Sequence, residues 1–178
     1  QAQADQLPTQ AQALGDAPTL QYAQQIQAVL QQEVAQQRRL LSLNQTLGLT
    51  PFEGQRKTMS EKSKALEATS FDMIKAAVGS ALSNQRDYLA SGDPVFAEMT
   101  HTAIKKLQAQ IDDLEWGDTP VGKTVKAFSQ AFTDTQNTIE QLGATNAQLS
   151  QLGEQLQARV KAQTEDLQNG LLLQRAQD

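Results

Sequence analysis

The sequence predicts an all-α fold, an elongated up-down four-helix bundle with long helices. Three observations lead there. Apolar residues recur at steps of three and four over most of the 178 residues, which is the period of an amphipathic helix. Hydrophobic residues make up 39% and aromatic ones only 4%, while 29 positions are Gln, so a narrow core between helices suits the chain better than a wide globular interior. No useful run alternates apolar and polar residues in the manner of a strand.

Residues 1–18 hold Pro8, Gly15 and Pro18 among Gln and Ala, with little apolar repeat, and are expected to form a loose lead. The bundle is expected over 19–170, with a tail at 171–178. From Thr19 to Gly48, residues Tyr22, Ile26, Val29, Leu30, Val34, Leu40, Leu41, Leu43 and Leu47 predict the first helix. Thr50-Pro51-Phe52-Glu53 then reads as a helix start, with Thr50 as cap, Pro51 at the first position and Glu53 reaching back. A single second helix should run from there to Ser91-Gly92, burying Met59, Leu66, Met73, Ile74, Ala77, Val78, Ala81, Tyr88 and Leu89. Asp93-Pro94 starts the third, whose stripe is Phe96, Met99, Ala103, Ile104, Leu107, Ile111 and Leu114, ending at Trp116-Gly117.

Thr119-Pro120 opens the last helix, expected to reach about Asn169 and to be roughly 75 Å long. Fourteen positions from Val121 to Leu167 alternate steps of four and three, and ten of them are apolar, enough for a heptad seam. Thr135, Asn146, Gly153 and Gln163 interrupt it, where polar or small residues either fix register at a cost in stability or mark a ligand chamber or a sliding signalling interface. The seam pairs either with a second copy, giving a homodimer, or with another helix of the same chain.

Charge and composition exclude several functions. A net charge of -5 with dispersed Lys and Arg argues against a nucleic-acid partner. The absence of Cys removes disulfides, thiolate metal sites and a Cys nucleophile. Gly117-Asp-Thr-Pro-Val-Gly122-Lys123-Thr124 satisfies the phosphate-cradling G-x-x-x-x-G-K-[ST] pattern, but that mechanism needs a strand feeding the loop and a later strand carrying a magnesium-binding Asp. Helical spacing before it and no strand after it make the match a helix stop followed by a helix start. His101 is the only histidine and is expected to be exposed; Asp112-Asp113-Glu115 reads as a solvated acidic turn. The expectation is therefore a non-enzyme with no catalytic residue, no metal ligand and no cofactor.

Candidate ligand-binding residues are basic side chains beside helical seams. Arg38 and Arg39 form the only basic pair of a helix dominated by Gln, and one of them is expected to border the core. Arg86 stands just before Tyr88. Arginine offers a planar fork of donors to a carboxylate or similar anion, and bundles build small-ligand sites from side chains on facing helices.

The segment Arg86-Asp-Tyr-Leu-Ala-Ser-Gly-Asp-Pro-Val-Phe96, followed by an amphipathic helix and a long heptad-bearing one, resembles the Arg-x-Tyr-Leu-x-x-Gly-Asp stretch of bacterial extracytoplasmic helical sensor domains, the CHASE-type and helical bimodular domains of chemoreceptors and sensor kinases. The likeness covers Met73 to about Leu167. It implies a periplasmic or otherwise extracytoplasmic part of an inner-membrane protein, membrane-anchored in its parent, that senses a small molecule such as an organic acid or other anion and passes a small helix displacement inward. The start Gln-Ala-Gln-Ala-Asp, without Met, carries the expectation of an excised piece. Within the motif, Arg86, Tyr88 and Leu89 are expected to pack the corner between two helices. The rival reading is a non-enzymatic structural or adaptor bundle: a periplasmic scaffold, secreted coiled coil or toxin component.

Overall fold

The computed structural model describes residues 17–177, with side chains from residue 19 onward; most of the expected loose lead lies outside these residues. The described residues are all-α, 87% helical, in five helices and without strands. The helices are α1 (Ala17–Leu47), α2 (Gly54–Ala68), α3 (Lys75–Ser91), α4 (Pro94–Asp113) and α5 (Pro120–Gln177). Five rather than four is a correction to the predicted helix count. α1 is already helical at Ala17 and Pro18, and α5 continues through the predicted tail to Gln177.

The extra helix comes from a break where one continuous helix over 50–91 was expected. No Gly or Pro marks it. Thr69 ends α2 by donating its hydroxyl to the Leu66 carbonyl at 2.9 Å, a local bond that competes with helix propagation. Phe71 then packs against Trp116, ring centroids 5.1 Å apart, and Ile74 is fully buried. An aromatic contact and a buried Ile anchor a turn that local propensity does not announce.

The start of α2 also differs from expectation. Thr50 does not cap a helix; its hydroxyl accepts from Phe52 N at 3.3 Å and its carbonyl from Glu53 N at 3.2 Å, forming a turn. The helix begins at Gly54, with Glu53 in the cap position and no side-chain cap bond. Gly48 ends α1 at φ +96, and a Cβ there would stand 2.0 Å from the Glu53 carbonyl oxygen. Arg56 Nε donates to the Gly48 carbonyl at 3.1 Å and ties the turn to α2. Leu49 and Phe52, on this pinned turn, are 74% and 83% exposed.

The Asp-Pro signal gives the helix it predicts. α3 stops with Gly92 in the left-handed region, its N–H donating to the Tyr88 carbonyl. Asp93 then accepts from Val95 N at 3.0 Å while Pro94 takes the first helical turn, where a missing N–H costs nothing.

The chain divides into two compact units. In Leu43–Leu142, α3 packs along α4, and a single core draws Met59 and Leu66 from α2, Val78 and Tyr88 from α3, Ile104 and Leu107 from α4, and Phe128 and Phe132 from α5. Each such large side chain contributes about 1.5–3 kcal/mol on burial. Met73 and Met99, expected in the buried stripes, are exposed. The other unit joins α1 up to Ser42 with α5 from Gly143. Its helices run antiparallel: the Tyr22 hydroxyl donates to Asp166, while Glu33 approaches Gly153. Ala23 and Val29 of α1 and Thr145 and Leu152 of α5 are buried there.

Candidate functional site

Arg86 lines a groove of about 380 Å³ between α2 and α3, within the Leu43–Leu142 unit. Helical spacing sets its walls. On α2, residues 56, 60, 63, 64 and 67 share one face; on α3, residues 82, 85, 86 and 89 do. The walls carry three cations, Arg56, Lys64 and Arg86, against one carboxylate, Glu67. Leu82 and Leu89 add apolar surface.

Gln85, another residue of the lining, is only 6% exposed. Ser63 donates to its Oε1 at 3.3 Å, which leaves the amide nitrogen without a protein partner among the described residues. Arg56 is oriented by its bond to the Gly48 carbonyl, with the rest of its guanidinium free to meet a ligand. Among the described residues, none of the three cations is within ion-pair distance of a carboxylate. The groove thus offers uncommitted positive charge and one neutral amide donor. A charge-assisted hydrogen bond is worth about 1.5–3 kcal/mol when shielded and less at an exposed rim. The chain's net charge of -5 opposes an anion only weakly, because charges beyond about 8 Å are screened at physiological salt, so the local surplus decides.

Arg38 and Arg39 lie elsewhere, on α1 in the other unit, and both are exposed. Neither borders the core, which corrects the sequence expectation. α1 packs one helix in its unit, so its buried stripe is narrow, and a guanidinium outside that stripe stays hydrated. Alongside Gln32, Gln148, Gln151, Leu152 and Gln155, Gln36 instead lines a groove of about 330 Å³ in this unit, with its Oε1 buried and unpartnered.

Sequence reasoning singled out Arg86 but not Arg56, Lys64 or Gln85, which line the same groove. A single helix over 50–91 holds α2 and α3 end to end and can form no groove between them. The signal was the spacing of Arg56, Ser60, Ser63, Lys64 and Glu67 on one face, which acquires meaning only once the chain doubles back at Thr69–Ile74.

The P-loop-like stretch folds as a helix-to-helix turn. Thr119 Oγ1 accepts from Gly122 N at 3.3 Å, and the Thr119 carbonyl accepts from Lys123 N at 3.0 Å, so these amides are turned inward rather than toward a phosphate. A Cβ on Gly122 would stand 2.4 Å from the Trp116 carbonyl oxygen, which accounts for this glycine without a nucleotide. His101, expected to be exposed, is half-buried: it shares a hydrogen bond with Gln136 at 2.5 Å and meets the Phe132 ring edge-on. Asp112, Asp113 and Glu115 are exposed, and no cluster of three metal-binding side chains occurs among the described residues.

No family model, curated protein or solved structure matches the chain.

Proposed function

We propose that this chain is the ligand-binding sensor domain of a bacterial transmembrane chemoreceptor or sensor kinase, recognising a small anion such as an organic acid and transmitting a helix displacement across the membrane. It performs no catalysis and uses no cofactor. In this reading the domain is extracytoplasmic and its parent protein is anchored in the inner membrane. The observation that carries it is the α2–α3 groove, whose lining brings Arg86, Arg56 and Lys64 together with the amide nitrogen of Gln85. Two aspects of the fold support the rest. Besides the last turn of α1, the Leu43–Leu142 unit contains four helical segments, α2, α3, α4 and the first part of α5, the number an up-down four-helix bundle needs. α5 runs unbroken from that unit's residues into those of the other, a route for a displacement.

A thermal-shift panel of organic acids, inorganic anions and amino acids tests the proposal. An organic acid should raise the melting temperature in a concentration-dependent way, with about 2.7 kcal/mol of stabilisation at a hundredfold excess over Kd. Arg86→Ala should abolish the response while leaving the unliganded melting temperature within a degree or so, since Arg86 is exposed. A flat response across the panel removes the sensor reading. The adaptor bundle would then stand, favoured by Leu49 and Phe52, two apolar side chains held out to solvent by a pinned turn.

A further inference from the structure

Of the charged residues that line the α2–α3 groove, Glu67 alone is negative, and it stands where a helix least favours a carboxylate. α2 ends one residue later, at Ala68, so Glu67 lies in the last turn, beside the negative end of the helix dipole. No basic residue shares that turn. Lys64 is three residues away on the same face, yet the two are not within ion-pair distance. Glu67 is exposed and pays for nothing in the core.

The register of the two helices says what surrounds it. Ser63 donates to Gln85, and because the chain doubles back at Thr69–Ile74, α2 and α3 run antiparallel with these two residues level. Lys64 and Arg86, each the next residue along its helix, therefore stand on opposite walls within about 3 Å of the same height. Glu67 lies about 4.5 Å beyond Lys64 toward the turn, and Arg56 about 12 Å from Lys64 the other way. α3 begins about 9 Å past the level of Glu67, too far for its positive end to offset the carboxylate, since a helix dipole acts within one turn.

Along its length the groove thus presents one cation, then a facing pair of cations beside the Gln85 amide, then a carboxylate. A plain organic acid engages the cations and is repelled by Glu67. A molecule with an ammonium on the carbon next to its acid group engages both signs: the acid group between Lys64 and Arg86, the ammonium at Glu67. We infer that the anion-binding groove takes a zwitterion, an α-amino acid, and that Glu67 sets the preference; this rests on the proposed anion site and narrows it.

Compounds of matched carbon skeleton test it. The groove has a surplus of two positive charges, so charge alone ranks glutarate above glutamate. Glu67 reverses that order. By isothermal titration calorimetry, glutamate should bind about threefold more tightly than glutarate, and 2-aminopentanoate about threefold more tightly than pentanoate, the size an exposed ion pair gives. Glu67→Gln should put glutarate first and abolish the second preference without lowering the melting temperature, since it removes an exposed charge from the negative end of a helix. Lys64→Gln should instead weaken all four compounds. Glutarate or pentanoate binding the unaltered chain as tightly as its amino counterpart would overturn the inference and leave the anion site standing. So would a preference for the amino compounds that survives Glu67→Gln. Binding of none of the four would remove the zwitterion and the anion site together.

Discussion

The ring of Tyr88 on α3 meets that of Phe132 on α5 edge-on, with centroids 5.7 Å apart and planes at 66°. Both are almost wholly buried, and His101 touches the same Phe132 from α4. Three helices therefore depend on one ring. Phe132→Ala should cost about 3–5 kcal/mol, the range for deleting a fully enclosed aromatic side chain, and urea unfolding would measure it. A loss below about 1 kcal/mol would mean that the core closes over the space.

Burial, and then the negative charge of Glu140, raise the Tyr88 hydroxyl above its ordinary value of 10.0. The folded chain thus keeps this proton to higher pH than the unfolded chain does. Above pH 10 the unfolded state binds fewer protons, so stability should fall as pH rises through the window between the two values. Tyr88→Phe should lose that part of the decline. Since Tyr22 is the only other tyrosine, a spectroscopic titration in a Tyr22→Phe background isolates the group, and Glu140→Gln should shift it downward.

Gly48 should tolerate no side chain. Its φ of +96 is unfavourable for an L residue, and a Cβ would collide with the Glu53 carbonyl oxygen. Gly48→Ala should destabilise the chain by about 2 kcal/mol or more, read as a lower urea midpoint. An unchanged midpoint would show that the α1–α2 turn can be rebuilt at little cost.

Asp93 caps α4 through a single bond to Val95 N. Asp93→Ala should cost about 1 kcal/mol, while Asp93→Asn should lie within a few tenths of the parent because the amide oxygen can accept the same bond. Equal effects from both substitutions would point to the charge rather than the bond.

Thr135 is buried in the seam, with its hydroxyl donating to the Ala131 carbonyl of its own helix at 2.7 Å. Thr135→Val should be neutral or stabilising by up to about 1 kcal/mol, since no bond to another helix is lost. A loss exceeding that by denaturant titration would reveal a partner across the helix interface.

Helix type was legible where periodicity ran long and ended in strong punctuation. Ser91-Gly92 and Asp93-Pro94 locate one stop and one start because left-handed Gly and a capping Asp act within a single turn of chain. The break at Thr69–Ile74 was not legible. It rests on Phe71 meeting Trp116, residues 45 positions apart, and no local window contains both. Thr50-Pro51 misled for the converse reason: the same residues that can cap a helix can close a turn, and the collision at Gly48 permits only the turn. The candidate site suffered from the missed break, since Arg86 has a chemical character visible alone while its partnership with Arg56 and Lys64 is a product of the reversal. Arg38 and Arg39 show the limit of spacing, which gives the side of a helix but not how much of that side is covered.

The buried hydroxyls of Thr100, Thr135 and Thr138 all return to carbonyls one turn back on their own helices, Phe96, Ala131 and Asp134. A helix that shifted would carry these polar bonds with it. Resistance to axial slip at such positions comes from methyl-sized corrugation rather than from the rupture of a bond. Residues that look like defects in a seam built for strength are, for a seam built to shift, low-friction surfaces.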